Sequence, residues 1–159
     1  MVEKLKMIWQ DAKQLKDERG LTLVELLVVV VILGIIAAIA VVAIGGIIEN
    51  SRKDAMVADA KQMVSAAKLH TASNPLAKDA TETIFFKGYT AGAGNVDGAQ
   101  YVNSIKDPFG GGQYTAANVA ITEADGVYTY EVTLEGSKYE YEDATEAQLN
   151  KDAANLKEK

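Results

Sequence analysis

The chain of 159 residues is long enough for one domain of ordinary size and too short for two large ones. Its formal net charge of -6 disfavours nucleic-acid binding through the overall field of the protein. The absence of cysteine excludes a disulfide framework, a thiolate metal site and a cysteine nucleophile. Apolar residues make up 48% of the chain, but the 23 residues from Leu26 to Ile48 are almost entirely apolar and the rest of the chain is more polar, so the average composition hides two unlike segments.

The first 20 residues are rich in charge and contain five Lys or Arg and four Asp or Glu. An ordinary secretory signal would carry a small-residue cleavage site after its apolar stretch. No such site followed by a polar start occurs beyond Ile48. The pattern therefore disfavours an ordinary signal peptide.

An uncharged run of 23 residues, of which 20 are Ala, Val, Ile or Leu, extends from Leu26 to Ile48. As a helix with about 1.5 Å rise per residue it would span about 35 Å, enough to cross a bilayer core of about 30 Å. A soluble helix of this length would show a polar stripe, and this run has none. The β-branched residues 28–32 would favour a strand in water. In lipid, however, the backbone N–H and C=O groups must hydrogen-bond to one another, and a single segment achieves this as a helix.

The junction between these segments reads Arg19-Gly20-Leu21-Thr22-Leu23-Val24-Glu25-Leu26-Leu27. A glycine precedes a large apolar residue, a Thr-Leu-x-Glu stretch and then the apolar run. This order resembles the N-terminus of type IV pilin and pseudopilin precursors. The match continues through residues 28 and 29, Gly34, and the small residues at 37, 38 and 40.

The resemblance implies that a prepilin peptidase cleaves after Gly20 on the cytoplasmic side and that Leu21 is N-methylated. It implies a structural subunit with no catalytic residues and no cofactor. The precursor would cross the plasma (inner) membrane once, and the pilus assembly machinery would add it to a homopolymeric filament on the cell surface.

Two roles remain open for Thr22 and Glu25. The spacing Thr22-x-x-Glu25 fits a capping box at a helix start. A carboxylate at the edge of the lipid is costly unless it is paired, and cleavage would create an α-amine four residues away. The resemblance implies that Glu25 pairs with the N-terminus of an adjacent subunit during assembly.

Three glycines are candidates for flexibility in the apolar helix. Members of the family often carry proline where this chain has Val42. The residue that kinks helices most strongly is therefore absent at this position. The sequence therefore predicts a straighter helix, in which any extension begins near Gly34 or near Gly45 and Gly46. Small residues along this helix also permit close helix–helix contact, although they are common in any membrane helix.

The helix is predicted to continue past the membrane half at residues 21–48. Residues 49–74 become amphipathic, with Met56, Ala60, Met63 and Ala67 recurring at spacings of four, three and four. Ser73-Asn74-Pro75 marks a helix end. The sequence predicts one helix from Thr22 to Thr71 or Ser73.

The remaining chain divides into a variable loop region at 75–117, an antiparallel sheet at 118–142 and a tail or short helix at 143–159. Within 75–117, Ile84-Phe85-Phe86 and Tyr101-Val102 are candidates for short strands or plugs. In the tail, Thr145-x-x-Gln148 fits a capping box, and Leu149, Ala153 and Leu156 share one helix face; a frayed tail is the alternative.

Strand patterns cover Asn118–Glu123, Val127–Leu134 and Lys138–Glu142, with hairpin signals at 125–126 and 135–137. The sheet should present one apolar, tyrosine-rich face to the amphipathic helix; sugar binding by that face is the less favoured alternative. The predicted fold is α+β, a pilin fold with a long helix on a three- to four-stranded antiparallel sheet.

No residue pattern in the sequence indicates a catalytic or metal-binding site. His70 is the sole histidine and is expected to face solvent or to cap the helix rather than to bind a metal. Eight acids between residues 123 and 146 indicate a solvated face, or a surface for a cation or a basic neighbour. Asp107-Pro108-Phe109-Gly110 resembles a motif of some pseudopilins and pilins, and it also fits a tight turn with an aromatic anchor.

The sequence therefore favours a type IV pilin precursor. A pseudopilin of a type II secretion or competence DNA-uptake system is the close alternative. A single-span, membrane-anchored binding domain is the alternative from another class; it would keep residues 1–20 and leave Glu25 replaceable.

Overall fold

A computed structural model describes the backbone of residues 2–152 and 155–159, and it leaves the side chains of residues 2, 5 and 12–22 undescribed. The chain divides into two compact units, Met1–Ile47 and Ile48–Lys159. Helix α1 covers Val2–Ser73 and contributes to both units. The predicted helix end is confirmed.

The predicted helix start at Thr22 was wrong, because α1 begins at Val2. Residues 2–19 are rich in Leu, Lys, Gln and Glu, which favour helix, and they contain no proline. The single interruption is Gly20, whose cost of about 1 kcal/mol relative to alanine is too small to end a helix of this length.

Among its described residues, the second unit contains a sheet of six strands in the order β2-β1-β3-β4-β5-β6. β1 and β2 are parallel, and every other neighbouring pair is antiparallel. The sheet has more strands than the predicted three to four, because short edge strands of three residues carry almost no periodic signal. The strands are β1 Thr81–Lys87, β2 Asn95–Asp97, β3 Ala116–Ala124, β4 Val127–Glu135, β5 Tyr139–Thr145 and β6 Leu156–Glu158.

The three predicted strands are confirmed as β3, β4 and β5. Asp125 and Gly126 connect β3 to β4 with φ of 49° and 82°, which matches a two-residue hairpin turn whose residues both have positive φ. The second turn is closed by the Gly136 N–H, which donates to the Tyr139 carbonyl at 2.9 Å. Both turn predictions are thus confirmed.

The core of the second unit lies between the second half of α1 and one face of the sheet. The predicted stripe supplies Met56, Ala60, Met63 and Ala67, each fully buried. Pairing of Val119 with Val132 places the sheet residues in register. The sheet contributes fully or almost fully buried side chains at positions 117, 119, 121, 132, 134, 139, 141 and 144.

The range 75–117 is more ordered than the loop that the sequence predicted. It contains β1, β2 and a 3-10 turn at Gly98–Gln100. Ile84 on β1 is fully buried. A Cβ on Gly98 would lie 2.8 Å from Phe86 Cδ1 and 2.9 Å from the Phe85 carbonyl oxygen, so this close approach requires glycine.

In the described part of the tail, residues 143–152 and 155–159, the short helix that the sequence offered does not form. Thr145 N donates to Gln148 Oε1 at 2.9 Å, as a capping box predicts, and Thr145 Oγ1 donates to the same oxygen at 2.8 Å, but only a 3-10 turn at Glu146–Gln148 follows. Residues Leu156–Glu158 pair with β5 instead. Ala153, which the sequence placed on the predicted helix face, lies outside the described residues.

Candidate functional site

The junction at residues 19–25 lies inside helix α1. The side chains of Leu21 and Thr22 lie outside the described part of the chain, and so does the surrounding of Gly20. The position of Thr22 within the helix still has one consequence. Residue 22 cannot be a helix N-cap while residues 2–20 are attached, so the capping interpretation applies only to a chain that starts at Leu21.

Glu25 is exposed on the surface of α1. It is the one acid between Leu23 and Ile48. Because a carboxylate in this setting is costly in lipid unless a cation or donor faces it, its position calls for a partner once the helix leaves water.

The apolar half of α1 is uncovered along its whole described length. The 18 large apolar side chains between Leu23 and Ile48 are 46% to 79% exposed. Burying one such side chain stabilises by about 1.5–3 kcal/mol, so on the order of 30 kcal/mol of apolar stabilisation is unused in water. That exceeds the stability of about 5–15 kcal/mol of a typical domain. Lipid or other helices must therefore surround this segment.

The helix is also long and apolar enough to cross a membrane. Within the described residues, the helical stretch Leu23–Ser73 is the one candidate span, and its most apolar window is not buried at all. A buried core helix would pass the same composition test, but its most apolar window would be covered.

The glycines Gly34, Gly45 and Gly46 lie in unbroken helix. Apart from the neighbouring backbone of the same helix, no described atom lies within 4 Å of the place where a Cβ would stand on any of them. Nothing else in the described chain therefore requires glycine there, and these positions leave flat backbone surface available to a neighbouring helix.

Comparison with known proteins adds one match. Residues 15–41 match the family model of the prokaryotic N-terminal methylation motif. The chain carries the prokaryotic N-terminal methylation motif. This motif is the hallmark of type IV pilin and pseudopilin precursors, a structural class of protein. Comparisons with curated proteins and with solved structures gave no significant match.

The prepilin motif includes Gly20, Leu21, Thr22, Glu25 and Gly34, and it ends before Gly45. The motif and the apolar helix together fit a precursor that crosses the inner membrane once and is later assembled into a pilus. They also imply processing by a prepilin peptidase and handling by the pilus assembly machinery.

An ionic cluster that the sequence did not reveal lies at the beginning of the second unit. Glu49 Oε1 accepts a hydrogen bond from Tyr139 Oη at 2.5 Å and lies 3.2 Å from Lys138 Nζ. Lys53 Nζ stands 4.5 Å from the centre of the Tyr139 ring. The hydrogen bond from Tyr139, followed by that from Lys138, lowers the pKa of Glu49 to about 2. Glu49 and Tyr139 are 90 positions apart, so no local pattern could have shown it.

Asp107 organises the turn that the sequence singled out. Its side chain is 3% exposed, and its carboxylate accepts hydrogen bonds from the N–H groups of Phe109 at 2.9 Å and Ser137 at 2.7 Å. Burial would raise the pKa of Asp107, but the hydrogen bonds from Ser137, Phe109 and Gly110 outweigh it and lower the pKa. The turn interpretation is supported, with Asp107 as its centre. The buried aromatic next to it is Tyr114, which donates to Asp59 Oδ2 at 2.8 Å.

The expectation that His70 faces solvent was wrong. Its side chain is buried, with Nε2 2.8 Å from Glu82 Oε2 and Nδ1 2.9 Å from Tyr101 Oη. These partners come from the range that was predicted to be a loop. Within the described residues there is no cluster of three or more side chains that could hold a metal ion.

Four of the eight acids between residues 123 and 146 pair with lysines from elsewhere in the chain, one of them being Asp125, which lies 3.4 Å from Lys78. Lys157 lies 2.7 Å from Glu142, Lys68 lies 2.6 Å from Glu146, and Lys159 pairs with Glu135. The buried Glu123 instead accepts hydrogen bonds from the N–H groups of Asp79 and Gly126. These contacts favour the interpretation as a solvated face.

Proposed function

We propose that the protein is the precursor of a type IV pilin, a structural subunit that is processed, N-methylated and assembled into a surface pilus. The methylation motif at residues 15–41 carries this proposal. The uncovered apolar helix supports it, because a filament subunit needs that surface twice, first in lipid and then against other helices. On this proposal the chain is not an enzyme.

Processing would cut the chain after Gly20 and methylate the new amine of Leu21. The cut would make Thr22 the second residue of the chain, where its hydroxyl can cap the new helix start. The carboxylate of Glu25 would then pair with the cationic amine of Leu21 in a neighbouring copy, which removes the cost of leaving that carboxylate alone in an apolar bundle.

Assembly would exchange lipid contacts of residues 21–48 for contacts between copies of the same helix. Gly34, Gly45 and Gly46 would let backbones approach closely and would be the first places to extend under load. Residues 49–159 would form the outer part of the filament, since most of their large apolar side chains already pack in their own core, with Leu69, Tyr89 and Val127 as exposed exceptions.

Mass spectrometry of material sheared from the cell surface tests this proposal. We expect a peptide that begins at methylated Leu21. Only chains that retain residues 1–20, and none in sheared material, would contradict it and favour a single-span anchored binding domain. A methylated Leu21 found only in membranes, without surface fibres, would favour a pseudopilin of a type II secretion or DNA-uptake system.

A further inference from the structure

The leader, which is the segment 1–20 that cleavage after Gly20 would remove, has a residue pattern over positions 2–19 that cleavage does not require. These residues are helical in α1. At about 100° per residue, the apolar positions from 2 to 15 fall within an arc of about 140°, with Met7 as the one exception. The positions on this arc, called the leader face below, are Val2, Leu5, Ile8, Trp9, Ala12 and Leu15.

Charges in the leader are sorted around the same helix. All four acids, at positions 3, 11, 17 and 18, lie on the side opposite the leader face. Lys4, Lys6 and Lys13 flank the leader face on its two edges. Lys16 and Arg19 lie on the same side as the leader face but beyond Leu15, in the turn next to the membrane span. Apolar residues bordered by bases, with acids behind, are typical of a helix that lies on an anionic lipid surface.

The two described side chains of the leader face are both exposed to solvent. Ile8 is 68% exposed and Trp9 is 69% exposed. Tryptophan favours the membrane–water interface, where its ring sits at the level of the headgroups. The apolar span that begins at Leu23 holds the leader within reach of that interface.

A bend is needed to bring the leader face onto the surface. If the helix continued along the membrane normal, Ile8 would stand about 22 Å from Leu23, outside the headgroup region. Gly20 lies between the leader and the span, and glycine bends at least cost. Bending there would also open the helical hydrogen bonds around the Gly20–Leu21 bond, which a peptidase must reach.

We propose that, before cleavage, residues 2–19 lie in the plane of the membrane as an amphipathic helix bound to anionic lipid, with the bend at Gly20. This proposal rests on the membrane anchoring by residues 23–48 that the proposed function includes. It does not depend on cleavage, methylation or filament assembly.

Trp9 reports directly on this contact, because it is the only tryptophan in the chain. The full-length chain is reconstituted in vesicles of phosphatidylethanolamine and phosphatidylglycerol, and its flotation with the vesicles is measured first. We expect Trp9 emission to shift to the blue, to be quenched by lipids brominated in their acyl chains, and to be protected from acrylamide. Replacing phosphatidylglycerol by phosphatidylcholine should weaken all three effects.

A matched pair of variants separates the leader face from the charge of the leader. Ile8→Glu and Gln10→Glu each add one negative charge, but only the first alters the leader face. We expect Ile8→Glu to abolish quenching by brominated lipid and Gln10→Glu to retain it.

Three results would overturn the proposal. One is a floating chain whose Trp9 is quenched by acrylamide and not by lipid, which would leave the leader in water with its anchor intact. Another is a blue shift without lipid quenching, which would mean burial against protein. The third is equal behaviour of the two variants. A chain that does not float with the vesicles would overturn the anchoring as well.

Discussion

The pKa values of individual carboxylates in this chain are shifted in different directions by the groups that surround them. Asp107 and Glu49 accept hydrogen bonds and have lowered pKa values. Asp59 is held by one hydroxyl, from Tyr114, and burial raises its pKa. Donors around a carboxylate favour its charged form, whereas burial without enough donors disfavours it.

These shifts predict how acid affects the second unit. A carboxylate with a lowered pKa contributes stability above its ordinary pKa of about 4, and that contribution is lost as the pH falls through its folded value. The stability of a fragment of residues 49–159, which contains the whole described core, should therefore fall between about pH 4 and pH 2. Asp59 acts in the opposite direction, because its protonation favours the folded state.

Asp107→Asn should lower the free energy of unfolding of that fragment at pH 7 by about 2–3 kcal/mol. The amide supplies one acceptor oxygen where the carboxylate supplies two, so a buried N–H group loses its partner. Urea unfolding at pH 7 and pH 3 measures this, and the difference between variant and parent should shrink at pH 3. The exposed change Asp152→Asn is the control, expected within about 0.5 kcal/mol. Equal stability of Asp107→Asn and the parent would refute the role of Asp107.

Glu25→Val should leave processing intact and abolish fibres. Valine removes the charge that is proposed to pair with the amine of Leu21, while it keeps the apolar character of the helix. The measurement is immunoblotting of processed chain in membranes together with the amount of sheared fibre. Glu25→Asp, which keeps the charge, should retain part of the assembly. Normal fibres from the Glu25→Val variant would contradict the proposed pairing of Glu25 with the amine of Leu21.

At the scale of elements, helix α1 has two different surroundings along its length. Large apolar side chains are exposed up to Ile48, and the stripe from Met56 to Ala67 is buried under the sheet. Both patterns could be predicted from the sequence, because a uniformly apolar run and an apolar stripe on one helix face follow directly from the order of residues.

Met63→Ala should destabilise the second unit by about 2–5 kcal/mol, since Met63 is fully buried between helix and sheet. Gln62→Ala, one residue earlier on the exposed side, should change the free energy of unfolding by less than about 0.5 kcal/mol. Urea unfolding of residues 49–159 compares the two. If both changes cost the same, the assignment of the helix face is incorrect.

At the scale of the whole molecule, the precursor separates its functions along the chain. The motif at residues 15–41 covers the junction and most of the apolar run, while the core lies between residues 56 and 149. Processing can therefore change the N-terminus without touching the core.

Cleavage after Gly20 would remove the only tryptophan of the chain. We expect sheared fibres to show tyrosine emission from the seven tyrosines, all of which follow Gly20, and no tryptophan emission. Excitation of purified fibres near the absorption maximum detects the tyrosine emission, and excitation at the red edge, where only tryptophan absorbs, tests for retained tryptophan; the full-length precursor is the positive control. Tryptophan emission from homogeneous fibres would show that residues 1–20 are retained.

The order of residues alone determined the apolar helix, its amphipathic continuation, the central hairpins and the prepilin junction. Each of these depends on neighbours within a few positions, through helical or strand periodicity and turn preference. The contacts of His70, Asp107 and Glu49 were decided only by the tertiary structure. The same is true of the pairing of β1, β2 and β6 with the rest of the sheet. Those depend on partners that are distant in the chain, such as Glu49 and Tyr139, and their energies arise only when packing brings the groups together.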